Sequence, residues 1–292
     1  MKKSISSRIN TLIFLLPWIL VLLIFWMYPL ISAAYLSLTK YHTLTDSSVF
    51  IGFKNYSNIL NDKVFWLSLK NTFIFTIGTV PITTFFAVLL AVILNQKSVK
   101  FRSLFRASYF MPTITSLVVI SLIFTNLYSK DGYINFLLKL VGIAFPTKGW
   151  LLDTSTSLIS IMMMDIWISI GYYMVLVLAG LQSISDDLYD SAKLMGANSF
   201  TQFYRITLPL LKPTLLFIFV INTIKSFQVF IEIFVMTKGG PLNSTMTFVY
   251  YIFVNAFEKS DSLGYGSALA FILFFILIIL SYFQMKVLKS QN

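Results

Sequence analysis

Cysteine is absent from the 292 residues. No disulfide framework and no thiolate metal site can form without it. Histidine occurs once, as His42, which excludes zinc sites and proton relays built on several imidazoles. Charge is scarce too: 11% of residues are Asp, Glu, Lys or Arg, against roughly 25% in soluble domains. With 57% hydrophobic residues and a mean hydropathy of +0.82, the chain cannot cover a water-facing surface. A bilayer removes that demand, because its interior is apolar. The P-loop G-x-x-x-x-G-K-[ST], H-E-x-x-H and G-x-S-x-G are all missing. Nucleotide hydrolysis and the familiar hydrolase chemistries therefore have no motif here.

What is present is a set of long apolar runs. A helix needs roughly 20 apolar residues to cross the hydrocarbon core. Six stretches qualify: 11–38, 71–94, 104–128, 157–181, 214–236 and 267–288. The first follows a basic start, MKKSISSR, but is too long for a cleaved signal and has no small-residue cleavage site, so it reads as a retained helix. Pro17 and Pro29 lie inside it, as membrane helices tolerate. The net charge of +11 reflects basic residues flanking the spans. Lys97, Lys100, Arg102 and Arg106 gather after the second span, and Lys286 and Lys289 follow the sixth. Their density places both termini on the cytoplasmic side. The expected fold is an all-α integral membrane protein with a single transmembrane domain over 1–292.

The polar loop 183–213, SISDDLYDSAKLMGANSFTQFYRITLPLLKP, is the most informative segment. Ser185 can cap a short helix with Asp186 and Asp187 in its first turn. Leu188, Ala192 and Met195 recur at helical spacing. Gly196 then stands where a helix C-terminus wants a residue tolerant of positive φ. Ser199-x-x-Gln202 reads as a capping box, opening a second helix that runs to Pro209. The loop is therefore predicted to be a helix–bend–helix on the cytoplasmic face.

This segment resembles the membrane subunits of ABC importers. Their signature, E-A-A-x-x-x-G, nine residues, then I-x-L-P, is matched without a gap by Asp190-Ser191-Ala192, Gly196 and Ile206-Thr207-Leu208-Pro209. Asp190 and Ser191 are mild departures. Residues 50–75, 105–124, 235–257 and 264–276 are similar to the larger-type subunit of the maltose and oligosaccharide group, so the resemblance covers nearly the whole chain. It implies a type I ABC importer membrane domain. The first short helix would dock in a groove of a separate ATPase subunit, with Leu188, Tyr189, Ala192 and Leu194 as its apolar face. Gly196, Ala197, Ile206, Leu208 and Pro209 would form the joint back to the spans. An amphipathic helix lying on lipid headgroups is the plainer alternative.

The resemblance also implies partners. They are a second related permease, an ATPase dimer carrying ATP and magnesium, and an extracytoplasmic sugar-binding protein docking on outer loops that include residues 238–243. This chain would hold no cofactor or metal. It would act as a non-catalytic subunit in a bacterial cytoplasmic membrane. The family's sugar-contacting positions fall here on Trp167, Ile168, Ser169 and Tyr172, and on Asn222, Lys225, Ser226 and Val229.

Intramembrane charges are functional candidates by default. Asp165, Lys225 and Glu232 qualify. Lys225 and Glu232 are seven apart, hence on one helix face about 10 Å apart along the axis. Lys225 either pairs with Asp165 or Glu232 or meets an acidic sugar; Tyr172 either stacks on a sugar or packs between helices. His42 reads as a solvated loop residue and Met162–Met164 as span filler. An ion-coupled carrier and an ABC importer of a non-sugar solute are the competing functions.

Overall fold

Apolar helices dominate the computed structural model, which describes residues 5–289 apart from 43, 44, 46, 97 and 145. Lys2, Lys3 and Lys97, and the side chains of Arg8 and Lys289, lie outside the described part. The chain divides into two compact units, residues 1–62 with 252–274, and 63–251 with 275–292.

The first unit begins with α1 (Ile5–Val21), a π-helical stretch Leu22–Met27, and α2 (Tyr28–Ser37). Strands β1 (Thr39–His42) and β2 (Ser47–Phe50) pair antiparallel, Thr39 opposite Phe50. Helix α3 (Lys54–Leu60) follows. Asn55 fastens α3 to the end of α2 by donating to the carbonyls of Ser37 and Thr39, both at 2.9 Å. His42 is not merely solvated: its Nδ1 lies 3.6 Å from Asp261 Oδ2. None of the most apolar window in 13–37 is buried within the protein, which suits a helix whose surface meets lipid or another chain.

The second unit is built on α4 (Lys63–Asn95). Then come α5 (Arg102–Ile114), α6 (Leu117–Leu127), α7 (Tyr133–Leu140), α8 (Ser157–Gln182), α9 (Asp186–Leu194) and α10 (Ser199–Gln202). A π-helical stretch Phe203–Thr207 leads into α11 (Leu208–Phe227) and α12 (Ile231–Met236). The chain ends with α13 (Phe248–Phe253), a π-helical stretch Val254–Glu258 and α14 (Leu263–Lys289).

Small residues recur every three or four positions down α4: Ser68, Thr72, Thr76, Thr79, Thr83, Ala87 and Ala91 are all buried. Membrane helices have no hydrophobic force between them, so small residues that permit close approach drive packing. Thr72 and Thr79 return their hydroxyls to the carbonyls of Ser68 and Phe75, which hides the polar atom. Toward one end this stripe meets Tyr173, Met174 and Val177 of α8 and Leu211 and Ile218 of α11. Helix α5 also presses on α8: a methyl group at Gly171 would run into the carbonyl of Tyr109.

Among the described residues, five helices are long and apolar enough to cross a membrane, and six if the bent pair α5–α6 is one span. Helices cover the six expected stretches, with two differences in their course. The third is not one straight helix. It turns by 94° between α5 and α6, where Thr115 and Ser116 adopt extended backbone; Pro112 has already removed a donor from the last turn of α5. The fifth is also broken. Helix α11 stops at Phe227 and α12 starts at Ile231. The freed carbonyl of Val229 is satisfied instead by the Thr247 hydroxyl at 3.2 Å.

Candidate functional site

The loop between α8 and α11 folds as two short helices. Ser185 caps α9, its hydroxyl accepting from the Asp187 amide at 3.3 Å, with Asp186 and Asp187 in the first turn. At the other end the Ala197 amide donates to the Ala192 carbonyl and the Gly196 amide to that of Lys193, both at 2.9 Å. Gly196 sits at φ +81°. These bonds make a Schellman closure, which needs a left-handed residue at the turn. The second cap differs from expectation. Asn198, not Ser199, accepts from the Thr201 amide at 2.8 Å, and Gln202 reaches back to the Ala197 carbonyl at 2.9 Å. Asn is at least as good a cap as Ser, and here it falls one residue earlier.

The four apolar residues expected to share one docking face separate. Ala192 is buried, and the Tyr189 hydroxyl shares a 2.9 Å hydrogen bond with Thr207; both turn toward the rest of the unit. Leu188 is exposed, and Leu194 is 91% exposed. Met195, not among the expected face residues, is 82% exposed beside them. Asp190 forms a 2.9 Å ion pair with Lys193 on the surface, and Ser191 is exposed. Ala197, Ile206 and Leu208 are half-buried and Pro209 exposed along the return to α11. A cleft of about 560 Å³ separates α9 from the ends of α4 and α8, lined by Asn95, Gln96, Asp186, Tyr189, Gln202 and Thr207 among others.

The second place of interest is the break between α11 and α12. A cavity of about 260 Å³ opens there, lined by Asp165, Lys225, Ser226, Gln228, Val229 and Glu232, with Phe75, Leu117, Phe230 and Ile231. Non-helical backbone at membrane depth is tolerated where it lines a cavity or is buried in protein. Lys225 Nζ donates to Ser169 Oγ at 2.9 Å and stands 3.9 Å from Asp165 Oδ1. The Lys225 partner is therefore Asp165, across to α8. Glu232 is buried at the start of α12, beyond the break, so the continuous helix face expected for Lys225 and Glu232 does not exist.

The expected sugar-facing residues divide. Ser169, Lys225, Ser226 and Val229 gather at the cavity or its wall. Ile168 and Asn222 are buried; the Ile168 carbonyl accepts from Thr113 at 2.9 Å. Asn222 Nδ2 has no partner among the described residues. Trp167 is half exposed and packs on Phe124, ring centroids 5.4 Å apart. Tyr172 is 38% exposed, and neither lines the cavity. Sequence reasoning passed over Thr79, which hydrogen-bonds Ser226 at 3.2 Å. Its signal was a hydroxyl recurring at helical spacing inside an apolar span.

A third feature is the turn after α12. Lys238, Leu242 and Asn243 all adopt positive φ, a costly conformation for residues with side chains. Hydrogen bonds hold it. Thr245 bonds Thr237 and the Gly240 carbonyl, both at 2.7 Å. Asn71 of α4 donates to the carbonyls of Asn243 and Met246 at 3.0 and 3.1 Å. Leu242 is left 90% exposed at the tip.

Several apolar spans, a discontinuous helix around buried charges and a capped helix pair between α8 and α11 mark a multi-pass membrane protein. The chain belongs to the family described as binding-protein-dependent transport system inner membrane component, whose model matches residues 71–290. It is 35% identical to the lactose transport system permease protein LacF of Rhizobium radiobacter, over 97% of this chain and 95% of that one. It is 31% identical to the arabinooligosaccharides transport system permease protein AraP of Bacillus subtilis, over 98% and 90%. Its fold matches a chain in the crystal structure of a bacterial ABC transporter that imports the acidic polysaccharide alginate. That match has a TM-score of 0.85 at 22% identity, over 99% and 98% of the two chains.

Proposed function

We propose that this chain is a permease subunit of an ATP-driven importer, passing a sugar or oligosaccharide handed over by an extracytoplasmic binding protein. ATP and magnesium are held by separate ATPase subunits, and a second related permease completes the pathway. Both termini and the α9–α10 loop face the cytoplasm, so that α9 offers Leu188, Leu194 and Met195 to the ATPase. The observation that carries this reading is the Schellman closure at Gly196, which fixes a short helix with an exposed apolar end at the signature position of the importer family. The lactose and arabinooligosaccharide names of its relatives support the sugar class. The chain carries no catalytic residue in this scheme. It transmits motion, and the cavity at the α11–α12 break is where solute passes.

The test is ATPase activity of the co-expressed complex in nanodiscs, with its binding protein and a panel of oligosaccharides, alongside Gly196→Val, a β-branched residue that the left-handed backbone there disfavours. Saccharide-stimulated hydrolysis that the variant loses is the expected result. A chain that never co-purifies with an ATPase, or a variant indistinguishable from the parent, removes the coupling role. Uptake driven by an ion gradient without ATP would establish a secondary carrier instead.

A further inference from the structure

Resting on that reading, we infer that the cavity at the α11–α12 break selects uncharged saccharides against acidic ones, with Asp165 and Glu232 as the excluding residues. The sequence had left Lys225 free to meet an acidic sugar. The structure gives it partners within the chain. Its ammonium donates to Ser169 Oγ at 2.9 Å and lies 3.9 Å from the Asp165 carboxylate. Asp165 and Glu232 are both more than nine-tenths buried, and both line the cavity with Lys225.

The charge count decides the matter. With both acids ionised, two carboxylates face one ammonium. With Glu232 protonated, one carboxylate faces one ammonium. While Asp165 stays ionised beside Lys225, neither state leaves a surplus positive charge for an incoming carboxylate, and like charges repel. Sugar hydroxyls meet the opposite situation. They donate, and carboxylate oxygens are strong acceptors. Ser226 and Gln228 on the same wall add neutral polar groups, and Phe230 gives an apolar face for the C–H side of a pyranose. The fold likeness to an alginate transporter chain, at 22% identity, does not bear on the solute.

The experiment is uptake into proteoliposomes holding the complete complex. The solutes are a neutral oligosaccharide and a uronic-acid oligosaccharide of the same length, each supplied on the saturated binding protein. The parent complex is expected to favour the neutral sugar by about tenfold or more. Asp165→Asn/Glu232→Gln, which leaves Lys225 uncompensated, is expected to shrink that ratio at least several-fold, and Lys225→Met to widen it. Should the double variant fail to assemble, Asp165→Asn alone, which removes the carboxylate beside Lys225 whether or not Glu232 is ionised, is read the same way. A binding protein that loads only the acidic sugar overturns the inference, as do equal parent rates or a ratio the variants leave unmoved. A complex that takes up neither sugar while transporting another solute would overturn the sugar reading itself, which is a separate outcome.

Discussion

Tyr189 and Thr207, 18 residues apart, share a 2.9 Å hydrogen bond between their hydroxyls. It joins α9 to the π-helical stretch that feeds α11, so the two are linked by a side-chain strut as well as through the backbone. Thr207 is buried, so its hydroxyl has little water to fall back on. Its other contact, to the Gln202 carbonyl, is long at 3.5 Å. Tyr189→Phe removes one bond, worth about 1 kcal/mol, with little change in shape. Sugar-stimulated ATP hydrolysis should persist, while sugar taken up per ATP should fall measurably. Parallel uptake and hydrolysis measurements check it; an unchanged ratio would mean that the backbone alone carries the motion.

Gly196 gives a prediction of a different kind. Its φ is +81°, yet a Cβ built there meets nothing within 4 Å. Substitution is therefore costly through backbone conformation only. Gly196→Ala should cost about 1 kcal/mol, and Gly196→Asn less, since Asn tolerates the left-handed region. Affinity for the ATPase subunits, measured by pull-down or titration, should fall in the order Gly, Asn, Ala. A steric cause would instead rank the variants by size.

How much of this was legible beforehand follows from which features are local. The Ser185 cap and the Gly196 bend depend on residues within a few positions, so their spacing in the sequence placed them. The Asn198 cap was missed by one residue because Asn and Ser are nearly equivalent there, and only the amide that each reaches distinguishes them. Partner choice for Lys225 is not local. Asp165 and Glu232 were both available by composition, and the break at residues 228–230 decided between them. The Val229 carbonyl that the break frees is taken up by the Thr247 hydroxyl, 18 residues on. Likewise the inward turn of Tyr189 and Ala192 follows from Thr207 and the packing beneath α9. A helical periodicity cannot say which apolar residues will meet the protein's own body.

The Lys225–Asp165 pair yields a cycle. Asp165 is buried, while the Lys225 side chain is 48% exposed in the isolated chain. Lys225→Met strands a buried carboxylate, and breaking such pairs from one side costs about 3 kcal/mol or more. Asp165→Asn leaves an ammonium that still holds Ser169 and still has access to the cavity, so its cost should be smaller. The double variant removes both charges and should recover most of the loss seen for Lys225→Met. Thermal stability of the purified complex checks this, and additive losses would show that the two residues do not act as a pair.

The last expectation concerns Asn71. Its single amide nitrogen donates to two carbonyls, Asn243 and Met246, on either side of a turn that holds Leu242 and Asn243 at positive φ. Such backbone persists only where surrounding bonds over-determine it. Asn71→Ala deletes both bonds and leaves two carbonyls to find other donors, a loss of about 1–3 kcal/mol. The strained turn should then relax, and Leu242, now exposed at a fixed tip, should lose its set position. If the binding protein reads this turn, Asn71→Ala should weaken stimulation of ATP hydrolysis by sugar-loaded binding protein severalfold without lowering the unstimulated rate. Asn71→Asp keeps the shape but turns the donor into an acceptor facing two carbonyls, so it should be at least as damaging. Leu242→Ala, which leaves the bracing intact, separates the contributions of tip and brace. Loss of stimulation in Asn71→Ala but not in Leu242→Ala would mean that the backbone of the turn is what the partner meets.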